Sequence, residues 1–173
     1  MSKFVLAFDP SLNGTGYAVL DVSRKKPKLV EKGTVQGRNK TWGDEDTHPV
    51  KLSLIIAKVA ELVAKYRPAH QKVFLEKGFS NKFINATQII FKARGALESQ
   101  LVGFEIVEIA PTSVKKILSE HGHASKNSVA ECVADFLGID YSEFLDEKGK
   151  LKEDESDATA VAVAGWLKHI KED

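Results

Sequence analysis

A single cysteine, Cys132, in 173 residues leaves no partner for an internal disulfide and no thiolate set for a cysteine-rich zinc module. An intracellular protein is therefore expected, and the expected compartment is the cytoplasm. Nothing near the amino terminus reads as a secretory signal, because the apolar stretch from Phe4 is cut short by Asp9. The small-residue run 158–167 is too short to span a bilayer, so no membrane association is expected. Net charge is also scarce, at +1, and any contact with a polyanion must come from local patches. The chain has no internal repeat and no low-complexity tract, and its length leaves no room for a second large domain. Residues 1–173 are expected to form one domain that buries roughly two thirds of its unfolded surface.

Hydrophobic periodicity predicts the elements. Alternating apolar residues around a turn at Gly14 and Gly16 predict a hairpin over 4–20, and 28–36 reads as a third strand. The polar stretch 37–48 reads as a loop. Leu52, Ile55, Ile56, Val59, Leu62 and Val63 recur at helical spacing, which predicts a helix over 50–66 ending before Pro68. A short buried strand over 73–76, a helix over 85–102 and a strand over 104–109 follow. Thr112 is expected to cap a helix running to Leu118, and Ser125 or Asn127 one that stops near Gly138. Residues 140–153 read as a charged, mobile loop, and 154–170 as a helix with a face of small residues. The order, three antiparallel strands and then alternating helices and strands, predicts an α/β domain with a five-stranded mixed sheet flanked by helices.

The charge is segregated. Seven Lys and Arg stand against four acids over 77–126, whereas eight acids stand against three lysines over 140–157. Within this pattern four carboxylates can converge: Asp9 and Glu76 end apolar strands, and Asp154 and Asp157 open a helix on one face. Gathered carboxylates repel and resist desolvation, so a set at element ends points to a shared cation, and oxygen-only ligands favour Mg2+ or Mn2+. Two ions roughly 4 Å apart would suit in-line hydrolysis of a phosphodiester. Taken singly the residues have blander readings: helix N-termini favour acids such as Asp154 and Asp157, Asp9 also reads as a turn-former, and Glu76 as an edge charge.

The segment Phe8-Asp9-Pro10-Ser11-Leu12-Asn13-Gly14-Thr15-Gly16-Tyr17 resembles the opening motif of the RuvC family of Holliday-junction resolvases, which have the ribonuclease H-like fold. Three further matches follow in order: Glu76-Lys77-Gly78-Phe79, Ala93-Arg94-Gly95, and the acidic pair opening the small-residue helix from Asp154 to Ala162. The resemblance covers nearly the whole chain and implies a structure-selective, Mg2+-dependent endonuclease, with Mn2+ able to substitute. It also implies a homodimer acting on four-way DNA junctions in a bacterial or phage-infected cell, and the helix over 85–102 is the candidate interface.

Carried over residue by residue, the metal ligands would be Asp9, Glu76, Asp154 and Asp157, with Glu153 as the alternative to Asp154. Lys115 and Lys126 match two lysines near the scissile phosphate, Lys126 being counted with the catalytic set. Phe79 would stack on a base at the junction centre; the plainer reading packs it, with Phe83, on the following helix. Asn13 and Ser11, on the first turn, are further candidates for a phosphate contact, and Lys77, Lys82, Lys92, Arg94 and Lys116 are weaker candidates for DNA contact. His121 and His123 read as phosphate or metal contacts or simply as solvated loop residues, and Trp42 and Trp166 as packing residues. Rival readings are a flap or structured-RNA nuclease of the same fold, an actin-like ATPase suggested by Gly14-Thr15-Gly16, and a DNA-binding module without catalysis. The ATPase needs two lobes and a second phosphate loop, for which the chain offers neither room nor motif.

Overall fold

The computed structural model describes residues 3–35, 47–78, 84–119 and 122–171. Its centre is one sheet of five strands: β1 (Phe4–Asp9), β2 (Thr15–Asp21), β3 (Lys28–Val35), β4 (Pro68–Glu76) and β5 (Glu105–Ile109). They lie in the order β3-β2-β1-β4-β5. The first three strands pair antiparallel, while β1–β4 and β4–β5 pair parallel, so the predicted mixed sheet is present. The helices are α1 (Thr47–Tyr66), α2 (Ile84–Glu98), α3 (Pro111–Ser119), α4 (Lys126–Leu137) and α5 (Glu153–His169).

Side chains alternate across the pleat, and each face of the sheet has its own core. Val5, Ala7, Ala18, Leu20 and Phe74 pack beneath α3, α4 and α5, whereas Leu6, Phe8, Val19, Val73 and Leu75 pack beneath α1 and α2. Burial on both faces makes β1, expected to alternate, a continuous apolar run. Helix α5 lies close on the sheet because its residues are small. A Cβ built on Gly165 would stand 2.7 Å from Phe74 Cδ2, so only glycine admits this approach. Trp166 is buried beside Phe136, as expected of a packing residue.

Three expectations change. Thr112 does not cap α3: the helix starts at Pro111, and the Ala110 carbonyl accepts from the N–H groups of Ser113 and Val114. Proline suits this first position because its missing N–H would have no partner there. The strand leading to Glu76 starts at Pro68, earlier than its apolar core implied. The charged segment 140–153 is ordered. A 3-10 turn, Tyr141–Phe144, buries Phe144 completely, and Leu145 bridges Leu151. Ser125 caps α4 as predicted, accepting from Ser128 N–H, and Gly138 closes it at φ 71°. The predicted 37–48 loop and Trp42 fall mostly or wholly outside the described residues. No helix among the described residues is long and apolar enough to cross a membrane.

Candidate active site

Strands β1 and β4 run parallel with Phe8 opposite Leu75, so their carboxyl ends deliver Asp9 and Glu76 side by side. Asp9 also pairs across the ladder with Gly16 of β2. That glycine makes room for the start of α5, since a Cβ there would stand 2.5 Å from the carbonyl carbon of Asp154. Gly14 faces the Asp154 carboxylate in the same way, its built Cβ lying 3.1 Å from Cγ. Two glycines of the first motif thus seat the helix that carries the last one. The turn between them is held by Thr15, buried, whose hydroxyl donates to the Ser11 carbonyl (2.6 Å) and accepts from the Ser11 N–H (3.2 Å).

A cavity of about 260 Å³ opens at this edge, walled by Asp9, Glu76, Asp157, Lys115 and Lys126, with Val114 and Ala160 among its apolar lining. Burial pushes the Asp9 carboxyl up to about 9, and the charge of Glu76, a shared hydrogen bond with it, and the charges of Asp157 and Asp154 add to the shift. Glu76 is also raised, mainly by burial and further by the charge of Asp157, while its hydrogen bond with Asp9 and then Lys126 and Lys115 oppose the shift. Asp157 and Asp154 are raised by burial first. The four predicted carboxylates therefore share one electrostatic neighbourhood. Asp154 stands to the side, against the first turn, and is not part of the cavity wall.

Among the described residues no three ligand side chains are gathered tightly enough to form a ready-made ion cage. The donor set nevertheless fits a hard divalent cation. It is all oxygen, and it holds a carboxyl group that stays protonated near neutrality unless positive charge relieves it. One positive charge is already there. Lys126 Nζ donates to Asp157 Oδ2 (2.7 Å) and Glu153 Oε2 (2.9 Å). Glu153 thus engages the lysine, and its charge adds to the upward shift of both Asp154 and Asp157.

The remaining candidates divide. Lys115 lines the cavity. Asn13 accepts from Lys51 Nζ at 2.8 Å. Arg94 is tied down by Glu98 (2.5 Å) and by Glu108, with its side chain 14% exposed, so its first role is to join α2 to β5. Phe79 and Lys82 lie outside the described residues, as do Phe83 and His121, and His123 does not line the cavity.

Two features escaped sequence reasoning. Lys51, only 8% exposed at the start of α1, reads in the sequence as one more surface lysine. Glu155, buried in the first turn of α5, meets Lys32 Nζ at 3.4 Å and Lys152 Nζ at 2.6 Å. Its Oε1 makes no hydrogen bond of good geometry and relies on those two ammonium groups. Lys32 also donates to the Glu143 carbonyl (2.7 Å) and lies over the Phe144 ring. This network pins α5 to β3 and to the ordered 140s segment. The only signal in the sequence was an acid inside an acidic run, which reads as solvated.

A five-stranded 3-2-1-4-5 sheet with carboxylates at the adjacent ends of β1 and β4 and on a helix packed across them has the layout of the ribonuclease H-like fold. The family model described as crossover junction endodeoxyribonuclease RuvC matches residues 5–165. A protein of that name from Methylobacillus flagellatus is 32% identical over 165 residues, covering 94% of this chain and 86% of the relative. Another, from Orientia tsutsugamushi strain Ikeda, is 29% identical over 167 residues, covering 95% and 96%. Among solved structures, Thermus thermophilus RuvC in complex with Holliday junction substrate superposes with a TM-score of 0.76 at 24% identity, covering 94% of this chain and 92% of that one. A second structure of Thermus thermophilus RuvC gives 0.74, also at 24% identity, covering 95% of each chain. The chain belongs to the RuvC family of crossover junction endodeoxyribonucleases, hydrolytic enzymes that depend on a divalent metal ion.

Proposed function

We propose that this chain acts as a homodimer that resolves four-way DNA junctions by paired nicks, using Mg2+ held by Asp9, Glu76, Asp154 and Asp157. The observation that carries the reading is the convergence of Asp9, Glu76 and Asp157 around one cavity with Lys115 and Lys126 on its wall. The acids would hold two ions per site, with Mn2+ an acceptable substitute. When bound, the ions supply an activated water and charge stabilisation of the leaving oxygen. Lys115 and Lys126 neutralise phosphate charge and keep the strand against the acids, which makes binding weaken with salt. Phe79, two residues beyond Lys77, is assigned to base stacking at the junction centre on the family resemblance alone, and Lys82 and Asn13 to backbone contact. Arg94, paired with two acids, is the weakest of the proposed contacts.

A four-way junction has two-fold symmetry, so paired nicks require two active sites related by a similar axis. The α1–α2 side supports a dimer. Ile84 (73%) and Phe91 (50%), two turns apart on α2, and Leu54 (43%) on α1 are exposed apolar side chains on neighbouring helices. The work would be done in the cytoplasm of a bacterial or phage-infected cell.

The test uses end-labelled synthetic junctions, flaps, duplex and RNA–DNA hybrid, each with Mg2+ and with EDTA. Symmetric paired nicks in the junction alone, dependent on Mg2+, are expected. Equal cutting of flaps would point to a broader branched-DNA nuclease. Binding with no metal-dependent product would remove the catalytic reading.

A further inference from the structure

Glu153 is outside the carboxylates assigned to metal, yet Lys126 also donates to it, at 2.9 Å against 2.7 Å for Asp157. We propose that Glu153 is a positioning residue that keeps the Lys126 ammonium at the rim of the cleft when a divalent ion takes Asp157. The inference rests on the junction-nuclease reading and on the place of Lys126 in it.

Lys126 is the first residue of α4, where the positive end of its own helix disfavours a cation. Its side chain is 50% exposed, so packing does not fix it either. What locates the ammonium is a pair of acids one turn apart on α5, at 2.9 and 2.7 Å. The two acids are not equivalent. Asp157 is 19% exposed and lines the cavity beside Asp9 and Glu76. Glu153 is 50% exposed, lies outside the cavity wall, and has Lys126 as its one ion-pair partner among the described residues.

A cation among Asp9, Glu76 and Asp157 therefore competes with Lys126 for Asp157 and leaves Glu153 to the lysine. Without Glu153, the ammonium would face a divalent ion of like sign with its shared anchor taken, and repulsion would drive it into solvent. With Glu153, it stays within one helical turn of the acids, where an incoming phosphate can meet it. Two carboxylates at helical spacing thus divide the labour, one for the metal and one for the lysine.

The experiment compares wild type, Glu153→Ala, Glu153→Gln, Lys126→Ala and the Glu153→Ala/Lys126→Ala double variant. Two readouts are taken: junction cleavage with Mg2+, and acylation of Lys126 by an amine-reactive ester in DNA-free, Mn2+-loaded protein, mapped by mass spectrometry. Glu153→Ala is expected to lower kcat about tenfold with KM changed less than about twofold, as for a misplaced catalytic-site group. The loss should vanish in the Lys126→Ala background, and Glu153→Gln, which keeps an acceptor, should recover part of it. Acylation of Lys126 should rise severalfold in Glu153→Ala. Wild-type kcat in Glu153→Ala beside an impaired Lys126→Ala, full additivity in the double variant, or unchanged labelling would each overturn the proposal while leaving the nuclease reading intact. If Lys126→Ala cleaves like wild type, the assignment of Lys126 fails and the role of Glu153 fails with it.

Discussion

Replacing Gly16 by alanine tests whether the seat of α5 on β2 is what aims Asp154 and Asp157. The added methyl would stand 2.5 Å from the carbonyl carbon of Asp154, and nearer still to its oxygen, where ordinary contact starts at 3.4 Å. The obstacle is backbone, so no rotamer change relieves it, and the first turn of α5 must withdraw by about 1 Å. Overpacking of this kind costs about 1–3 kcal/mol, which lowers the Tm of a domain this size by about 3 to 10 °C. The functional loss should be larger, since a misplacement of about 1 Å at reacting groups costs about a hundredfold in rate. Gly14→Ala is the control. Its methyl meets the end of the Asp154 side chain, which can swing aside, so cleavage should fall with Tm nearly unchanged. Thermal melts run beside Mg2+-dependent junction cleavage check both. A Gly16→Ala protein that melts lower yet cuts at the wild-type rate would refute the idea that this contact sets the carboxylates.

The Asp9 carboxyl, at about 9 in the folded metal-free chain against 3.8 ordinarily, takes up a proton on folding. Metal-free stability should therefore decline as pH rises from about 4 to 9. Asp9→Asn should flatten that slope and, at pH 8 in EDTA, melt above wild type by the equivalent of a few kcal/mol; Mg2+ should stabilise wild type only, and calorimetry reads all three. Lys32→Met leaves Glu155 buried with Lys152 alone, at a cost of roughly 3 kcal/mol in urea unfolding, and adding Glu155→Met should restore most of it. Failure of the second change to rescue would mean the pair does not act as a unit. Phe91→Asp should convert a dimer into monomers in ultracentrifugation and lower paired nicking with the fold retained, while an unchanged sedimentation coefficient would move the interface elsewhere.

Much of the fold was legible because it obeys local periodicity. The hairpin, α1 and the small-residue α5 each declare themselves within one segment, and Ser125 and Gly138 mark the ends of α4 by their own chemistry. Asp9 and Glu76 were legible in another way, as acids ending apolar strands. The ordered 140s segment was not, because its stability comes from Phe144 and Lys32, residues 112 positions apart in the chain that meet only after folding.

The linear chain by itself determined which carboxylates exist, which strand or helix ends they occupy, and the family motif that binds them into one set. Only the tertiary structure decided their partners: that Glu153 goes to Lys126, that Arg94 is held by Glu98 and Glu108, and that Gly14 and Gly16 make room for Asp154. Periodicity follows from the backbone's own repeat, which every residue carries along the chain. Pairing of charges and close approach depend on distances in space, which exist only once the sheet has brought remote segments together.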